Sequence, residues 1–289
     1  MKKVIPLVII ALIIIPAYVV AAKSASGSIA KPSIVLVHGA WADGSSWSRV
    51  VHRLQDQGFT VYAPPNPLRG LASDSAYLAS FLQSITGPII LVGHSYGGAV
   101  IANAATGNPN VKALVFVDAF VPDQGESLLQ LVSMPPPSGQ SGSCLGGDPT
   151  QVFNFVSFPG ATAGDFDLYI KQSVFPSCFA NDLSDGKAAV LASSQRPIVL
   201  SVFPQPSGIP AWKTIPSWYL VGTIDRVIPP FLQLFMAQRA HAQIVQVRGS
   251  HLSMFSQAEA ATDLIEQAAQ TVQGGSNTDS GLTLAPTSL

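Results

Sequence analysis

A short glycine-rich segment carries the residue types of nucleophilic catalysis. Gly93-His94-Ser95-Tyr96-Gly97 directly follows the apolar run Ile89 to Val92 and opens a segment with helical spacing, Tyr96 to Ala105. Between a strand and a helix, the pattern Gly-x-Ser-x-Gly is typical of a nucleophile elbow, whose sharp turn exposes the serine hydroxyl above the sheet. The pattern predicts Ser95 as a nucleophile, and an idle serine in a glycine-rich turn is the alternative.

A serine hydroxyl is a weak nucleophile, so it needs a base, and that base needs an orienting acceptor. His251 follows the apolar run Ile244 to Val247, and Asp225 follows the run Trp218 to Val221. Loops that follow parallel strands meet at one edge of a sheet, where Ser95 is also expected. The chain order serine, aspartate, histidine is the order typical of a triad whose serine lies on a nucleophile elbow. We therefore predict that His251 is the base and Asp225 its orienting acid.

Asp118 is the rival for the acid, because it ends another apolar run, Ala113 to Val117. We favour Asp225, since its strand directly precedes the strand that leads to His251 and their loops should be neighbours. The alternative role of Asp118 is a helix cap or a loop anchor.

A second glycine-containing loop, Val37-His38-Gly39-Ala40-Trp41, follows the first apolar run of the chain. Its position predicts that the backbone N–H groups of Ala40 and Tyr96 form an oxyanion hole. We expect the ring of His38 to brace this loop by hydrogen bonding. Three further side chains are predicted to line the substrate site: Trp41, His94 and Phe120. The alternatives are that Trp41 only packs and that His94 packs beside the site without acting in it.

Short apolar runs alternate with helical patterns along the chain, which predicts an α/β fold with a mostly parallel twisted sheet flanked by helices. The predicted strands are 34–37, 60–63, 89–92, 113–117, 218–221 and 244–247. The predicted helices are 47–57, 74–85, 96–105, 230–240 and 257–272, with Asp74 as the N-cap of the second.

One interval interrupts this alternation: the 98 residues from Ala119 to Pro216, which separate the fourth predicted strand from the fifth. A single crossover needs far less chain, so we predict an inserted cap at about residues 122–212. The interval is rich in aromatic residues, and a cap with an apolar underside would shield a pocket and favour apolar substrates. The alternative is that these rings form only the core of the cap itself.

The two termini differ in composition from the chain between them. Residues 1–22 carry Lys2 and Lys3, then an apolar run and small residues, which predicts a secretory signal peptide and export to the periplasm or outside the cell. The alternative is a membrane anchor formed by residues 4–20. Residues 274–289 are polar and aperiodic, and we predict a disordered tail. The domain that carries the predicted catalytic residues is thus expected at 32–272.

Charge and cysteine usage restrict the partners. Charged residues make up 11% of the chain, and the formal net charge is −1. Nucleic-acid binding needs a concentrated basic footprint and is therefore excluded. A disulfide between Cys144 and Cys178 is expected for an exported chain, although two unrelated thiols are the alternative. No Cys/His cluster has metal-ligand spacing, and no cofactor is expected.

From about Pro32 to Val272 the chain resembles the α/β-hydrolase superfamily. The segments Leu36-Val37-His38-Gly39-Ala40-Trp41 and Ser45-Ser46-Trp47 make it similar to the branch of small bacterial esterases, plant methylesterases and hydroxynitrile lyases. The resemblance implies a cofactor-independent enzyme that acts most often on esters. The lyases of that branch carry a lysine where this chain has Leu252, which disfavours cyanohydrin cleavage.

Together these residues predict a serine hydrolase that cleaves carboxylic esters of small, apolar substrates through an acyl-enzyme. The same triad would serve an amidase, a lactonase or a cofactor-free haloperoxidase-like enzyme. A binding protein on a retired hydrolase scaffold is the non-enzymatic alternative. An alkyl-enzyme mechanism is excluded, because it needs an aspartate where this chain has Ser95.

Overall fold

The protein is described here from a computed structural model, which covers the backbone of residues 31–278 and the side chains of residues 31–274. The predicted signal peptide, and the alternative anchor at residues 4–20, lie outside the described residues. Within the described part of the chain, no helix has both the length and the apolarity needed to cross a membrane.

Six parallel strands form the central sheet: β1 Ser33–Val37, β2 Val61–Tyr62, β3 Ile89–His94, β4 Val111–Val117, β8 Ser217–Gly222 and β9 Gln243–Val247. Their order in the sheet is β2-β1-β3-β4-β8-β9. All six predicted strands are present, and the α/β-hydrolase fold class predicted from the sequence is confirmed.

The burial of the strands explains why their sequences are continuous apolar runs. Every residue of Ile34–Val37 and of β3 is buried, because helices cover both faces of a parallel sheet. The edge strand β9 is only half-covered, and its residues are either partly buried or exposed. The sheet core therefore lies under β1, β3, β4 and β8, the strands nearest the centre of the sheet.

Helices connect these strands and pack on the sheet, α1 against α10 and α2 against α3. They are α1 Ser48–Asp56, α2 Leu71–Gln83, α3 Tyr96–Ala104, α8 Pro230–Arg239, α9 Ser253–Ser256 and α10 Ala258–Thr278.

Two predicted boundaries differ from the structure. Helix α2 begins at Leu71 with Gly70 as its N-cap, so Asp74 is not the N-cap. The buried Asp74 carboxylate instead accepts from the amide of Arg69 and the hydroxyl of Tyr96. At the C-terminus, the backbone of α10 continues to Thr278, so the tail predicted from residue 274 starts on a helix, and residues 279–289 lie outside the described part.

The chain segment that connects β4 to β8 forms additional structure in the interval where a cap was predicted. It contains a three-stranded antiparallel sheet, β5-β6-β7, and four short helices. These elements are α4 Leu128–Val132, α5 Pro149–Val152, β5 Phe153–Val156, β6 Asp167–Ile170, α6 Phe175–Cys178, α7 Asp185–Ser193 and β7 Ile198–Val199. Cys144 and Cys178 form a disulfide within this layer, with their Cα atoms 5.8 Å apart.

Candidate active site

Three side chains from three loops form one hydrogen-bonded line at the carboxyl edge of the sheet. Ser95 Oγ lies 2.8 Å from His251 Nε2, and His251 Nδ1 lies 2.8 Å from Asp225 Oδ2. Ser95 follows β3, Asp225 follows β8 and His251 follows β9. All three residues are buried. The structure thus brings together the three residues that the sequence singled out.

The backbone at Ser95 has the strained conformation of a sharp turn. Its φ is 53° and its ψ is −126°, a region that residues with a side chain seldom occupy. The turn forces strand β3 and helix α3 close together. A Cβ on Gly93 would lie 2.6 Å from the carbonyl oxygen of Gly97, so only glycine fits there. This packing holds the Ser95 side chain at the sheet edge.

Four donors converge on the carboxylate of Asp225. Its Oδ1 accepts from the amides of Val227 at 2.7 Å and Ile228 at 3.0 Å. Its Oδ2 accepts from Gln233 Nε2 at 2.8 Å in addition to the His251 ring. Burial raises the pKa of Asp225 well above its usual range, whereas the amides of Ile228 and Val227 oppose that shift. Together the four donors fix the carboxylate plane. Gln233, fully buried on α8, was missed in the sequence, where nothing distinguishes it from other helical glutamines.

Asp118, the rival acid, is also fully buried but is poorly supplied with donors. Its Oδ2 accepts from the amide of Ser253 at 3.0 Å, and its Oδ1 has no partner among the described residues. Burial raises the pKa of Asp118 well above its usual range, and the nearby Asp225 carboxylate raises it further. Because four donors contact Asp225 and one contacts Asp118, we infer that Asp118 is the more readily protonated carboxyl of the pair. Asp118 anchors the loop that follows His251.

Two backbone amides beside Ser95 are available to a substrate oxygen. In the described part of the chain, the N–H groups of Ala40 and Tyr96 donate to no acceptor. The loop that carries Ala40 runs against Ser95, since a Cβ on Gly39 would lie 2.6 Å from the Ser95 Cβ. Tyr96 begins helix α3, whose first amides point toward the serine end of the helix. These are the two groups that the sequence predicted for an oxyanion hole.

The ring of His38 braces this loop, as expected from the sequence. The amide of Asn66 donates to His38 Nε2 at 2.9 Å, which leaves the proton on Nδ1, and Nδ1 donates to the carbonyl of Gly39 at 2.9 Å. Asn66 Nδ2 also donates to the carbonyl of His38 at 3.0 Å. Both ring nitrogens are therefore occupied by backbone, and the loop is held in place.

His94 does not occupy the position predicted for a substrate-lining residue. Its ring is fully buried 4.8 Å from the ring of His251, and its Nε2 donates to the backbone carbonyl of His251 at 2.7 Å. The ring therefore supports the His251 loop from the core side. The residue at the variable position of the elbow therefore has a structural role, because its ring is buried and bonded to the backbone of His251.

The other two residues predicted to line the site have different surroundings. Trp41 lies under the cap within a cluster of rings, and its indole Nε1 donates to the carbonyl of Leu168 at 2.8 Å. Its ring contacts Phe153, Phe179 and Phe203, with centroids 5.5, 6.0 and 6.4 Å away. Phe120 is buried in the core, and its amide donates to the carbonyl of Ser95 at 3.0 Å. Trp41 thus connects the loop of Ala40 with the cap.

Burial also sets the protonation state of the candidate base. Exclusion of water disfavours the imidazolium form and lowers the pKa of His251 to about 3. Burial lowers the pKa of His94 well below its usual value, and the neighbouring His251 ring lowers it further. Both rings are therefore neutral at neutral pH, and a neutral His251 can accept the Ser95 proton.

A low pKa at His251 predicts hydrolase activity that persists in mild acid. Only the neutral ring can act as a base, so activity falls as pH drops through the pKa. At about pH 5.5 we expect kcat/KM within about twofold of its value at about pH 7.5. If the base had a pKa of about 6.5, kcat/KM at about pH 5.5 would be about a tenth of that value. The measurement is the pH profile of kcat/KM, with circular dichroism to verify folding. An acid limb centred near pH 6.5 would contradict this assignment.

Comparison with known proteins identifies the family to which this chain belongs. A model of the alpha/beta hydrolase family matches residues 34–264. The chain belongs to this family. The solved structure of polyneuridine aldehyde esterase has the same fold, with a TM-score of 0.68 at 17% identity over 82% of this chain and 99% of that one.

Two curated relatives extend the comparison. The carbendazim hydrolyzing esterase of Nocardioides sp. (strain SG-4G) is 34% identical over 128 residues, which are 40% of this chain and 53% of that protein. A chloroplastic protein of Arabidopsis thaliana, provisionally named methylesterase 13, is 28% identical over 257 residues, 82% of this chain and 56% of that protein. The chain thus spans about half the length of these two relatives.

Proposed function

We propose that this protein is a serine hydrolase that cleaves carboxylic esters of small, apolar substrates through an acyl-enzyme. The observation that carries the proposal is the hydrogen-bonded line from Ser95 through His251 to Asp225, placed beside two unoccupied backbone amides. Nucleophile, base, orienting acid and oxyanion donors are the complete set that ester hydrolysis requires.

In the acylation half, Ser95 Oγ attacks the ester carbonyl carbon while its proton moves to His251 Nε2. The carbonyl oxygen becomes an oxyanion, and the amides of Ala40 and Tyr96 donate to it. The tetrahedral intermediate collapses when the C–O bond to the alcohol breaks and His251 returns the proton to the leaving alkoxide. Asp225 holds the ring in the required tautomer and stabilises its charged form throughout.

In the deacylation half, a water molecule takes the place of the alcohol. His251 Nε2 accepts a proton from this water as its oxygen attacks the acyl carbon, and the same two amides again stabilise the oxyanion. The bond between the acyl carbon and Ser95 Oγ then breaks, and His251 protonates the serine. The carboxylic acid leaves, and the protein returns to its starting state.

The structure of the cap is an argument for an apolar substrate. It contains a cavity of about 640 Å³, and most of the lining side chains are apolar, among them Leu129, Val132, Phe153, Leu168 and Phe203. The lining carboxylate, Asp165, already accepts from the amide and the hydroxyl of Ser201. Trp41 contacts two of the lining rings, Phe153 and Phe203, and follows the loop residue Ala40 in the chain. We infer that its ring forms a wall between this cavity and Ser95, and that this wall limits the length of the acyl group.

The names of the relatives also support an ester substrate, since they include a carbendazim hydrolyzing esterase and a methylesterase. Amide or lactone hydrolysis would use the same groups. Leu252 follows His251 and is buried, so the position directly after the base carries no cation to favour a cyanohydrin. The decisive experiment is hydrolysis of p-nitrophenyl esters from acetate to dodecanoate beside matched p-nitroanilides. We expect ester turnover with a short to medium optimum; faster anilide cleavage would reassign the protein as an amidase.

Removal of the aromatic wall should change chain-length preference. In Trp41→Ala we expect the ratio of decanoate to butyrate kcat/KM to rise about tenfold, because the cavity becomes continuous with the Ser95 side and longer chains bury more apolar surface there. Trp212→Ala is the matched control, since that buried indole also donates to a backbone carbonyl, that of Pro122. An unchanged ratio in Trp41→Ala, or an equal rise in the control, would refute the wall.

We further infer export by way of the segment 1–22. The Cys144–Cys178 disulfide supports this, because such bonds persist in oxidising compartments outside the cytosol. Expression of the full chain followed by N-terminal sequencing of the exported product tests it. A new N-terminus near Lys23 is expected, and a product that retains Met1 in the membrane fraction would favour the anchor.

A further inference from the structure

A short cap segment, Ser177–Asp182, lies against two of the loops that form the candidate active site. We name this segment the cap strap. It begins at the end of α6 and ends before α7, and its residues Cys178 and Phe179 are buried. None of its residues belongs to the triad or the oxyanion hole, yet its contacts reach the loop of Asp225 and the loop of His251.

The strap is bonded to the Asp225 loop at two points. Arg226 Nη1 donates to the carbonyl of Ser177 at 3.0 Å, and Asn181 Nδ2 donates to the carbonyl of Ile224 at 3.0 Å. The residues on both sides of Asp225 are therefore tied to the strap. These bonds fix the backbone from which the Asp225 carboxylate projects.

The strap also holds the residue that precedes His251. The carboxylate of Asp182 accepts from the amide of Ser250 at 3.0 Å and from its hydroxyl. The ring of Phe179 packs edge-on against the ring of His251, with centroids 4.7 Å apart. His94 holds the same loop from the core side by its bond to the His251 carbonyl. The base is thus clamped between the core and the strap.

The disulfide completes the attachment of the strap. Cys178 is bonded to Cys144, whose own amide donates to the carbonyl of Arg226 at 2.7 Å. The neighbouring Ser143 hydroxyl donates to the carbonyl of Val227 at 2.6 Å. The disulfide therefore links the strap to the Cys144 loop, which is itself hydrogen-bonded to the Asp225 loop.

We propose that the cap strap is a positioning element for catalysis, in which Asp182 sets the position of His251 and the Cys144–Cys178 disulfide holds the strap in place. The inference rests on the proposed function, because positioning matters only if His251 acts as a base. A misplacement of about 1 Å in a catalytic group lowers turnover by about 100-fold. The cap would then contribute to turnover as well as to substrate shape.

Asp182→Ala tests the positioning role. We expect kcat to fall about 10- to 100-fold while KM stays within about threefold, because the substrate contacts are retained and the base is displaced. Hydrogen exchange at residues 249–252 should speed up, since the Ser250 amide loses its acceptor. Asp182→Asn, which keeps one oxygen, should show a smaller loss. Asp185→Ala, on the exposed first turn of α7, is the matched control and should behave as wild type.

The disulfide arm uses the double variant Cys144→Ser, Cys178→Ser. We expect the same pattern as in Asp182→Ala: lower kcat, little change in KM and faster exchange at residues 249–252. A kcat within twofold of wild type in Asp182→Ala, or a lower kcat without faster exchange there, would overturn the role of Asp182. Full kcat in the double variant would overturn the role of the disulfide.

If the proposed function is wrong, the activity and exchange measurements give a different result from the one expected when only the strap proposal is wrong. In that case wild type itself does not hydrolyse p-nitrophenyl esters, whereas hydrogen exchange still reports whether Asp182 and the disulfide restrain residues 249–252. Unchanged exchange in both variants would overturn the strap regardless of activity. Thermal unfolding of each variant, followed by circular dichroism, shows whether a loss of turnover comes from loss of the fold.

Discussion

The variant Ser95→Ala is expected to lose ester hydrolysis by about 10⁴-fold or more in kcat, the scale found when a triad serine is removed. Without Oγ no acyl-enzyme can form, and the remaining rate comes from binding and oxyanion stabilisation alone. The fold should persist, because the Ser95 hydroxyl bonds only to His251 and alanine meets the same backbone strain at a φ of 53°. Steady-state hydrolysis of p-nitrophenyl butyrate measures the effect.

Ser75→Ala is the matched control for this experiment. Ser75 is buried on α2, and its hydroxyl makes one long bond, 3.4 Å, to the carbonyl of Val100. We expect its rate to stay near that of wild type. Comparable rates for wild type and Ser95→Ala would mean that the hydrolysis does not pass through this serine.

The second large effect is expected from Asp225→Asn, which should lower kcat by about 10³- to 10⁴-fold. The amide has nearly the shape of the carboxylate, but it carries no charge to stabilise the imidazolium. Its NH₂ group would also face a group that now donates to Asp225: Gln233, the amide of Val227 or the His251 ring. The ring then loses the tautomer that leaves Nε2 free for Ser95. The measurement is kcat with the same ester.

Asp118→Asn is the paired variant, because both carboxyls are buried and close to each other. We infer that Asp118 is the more readily protonated carboxyl of the pair, so a neutral amide replaces a neutral acid and can still accept from Ser253. We expect kcat within about threefold of wild type. The reverse pattern, a large loss in Asp118→Asn and a small one in Asp225→Asn, would show that Asp118 is the acid that serves His251.

The positions of Ser95, Asp225 and His251 could be predicted because each follows an apolar run that is typical of a buried strand. The parallel sheet then brings their loops to one edge, whatever the intervening sequence contains. The same logic placed Ala40 beside Ser95. These predictions need only strand identity and direction, and both are encoded locally in runs such as 89–92 and 218–221.

The cap could be predicted as an interval but not as a structure. Its strands have two to four residues, too few to show a period, and the antiparallel pairing of β5, β6 and β7 joins distant parts of the interval. Asp182 and Asn181 resemble any polar loop residues in the sequence, because their partners lie at positions 250 and 224. The disulfide expected at Cys178 was the one local sign that this segment is held in place.

His94 and Asp74 show a second limit of sequence reasoning. The elbow pattern leaves its second residue free, so nothing in it indicated that the His94 ring supports the backbone of His251. Asp74 has the residue type and spacing of an N-cap, but its carboxylate serves the turn before α2 and the hydroxyl of Tyr96. In both residues, tertiary contacts decide a role that the local pattern leaves open.

The central claim is that Ser95 is the nucleophile of this site, and covalent labelling tests it most directly. Wild type is treated with a fluorophosphonate, which reacts with activated serines, and the adduct is located by mass spectrometry of the intact protein and its peptides. We predict one adduct, on the peptide that contains Ser95, and none on Ser95→Ala. An unlabelled wild type, or an adduct that persists in the variant, would contradict the account.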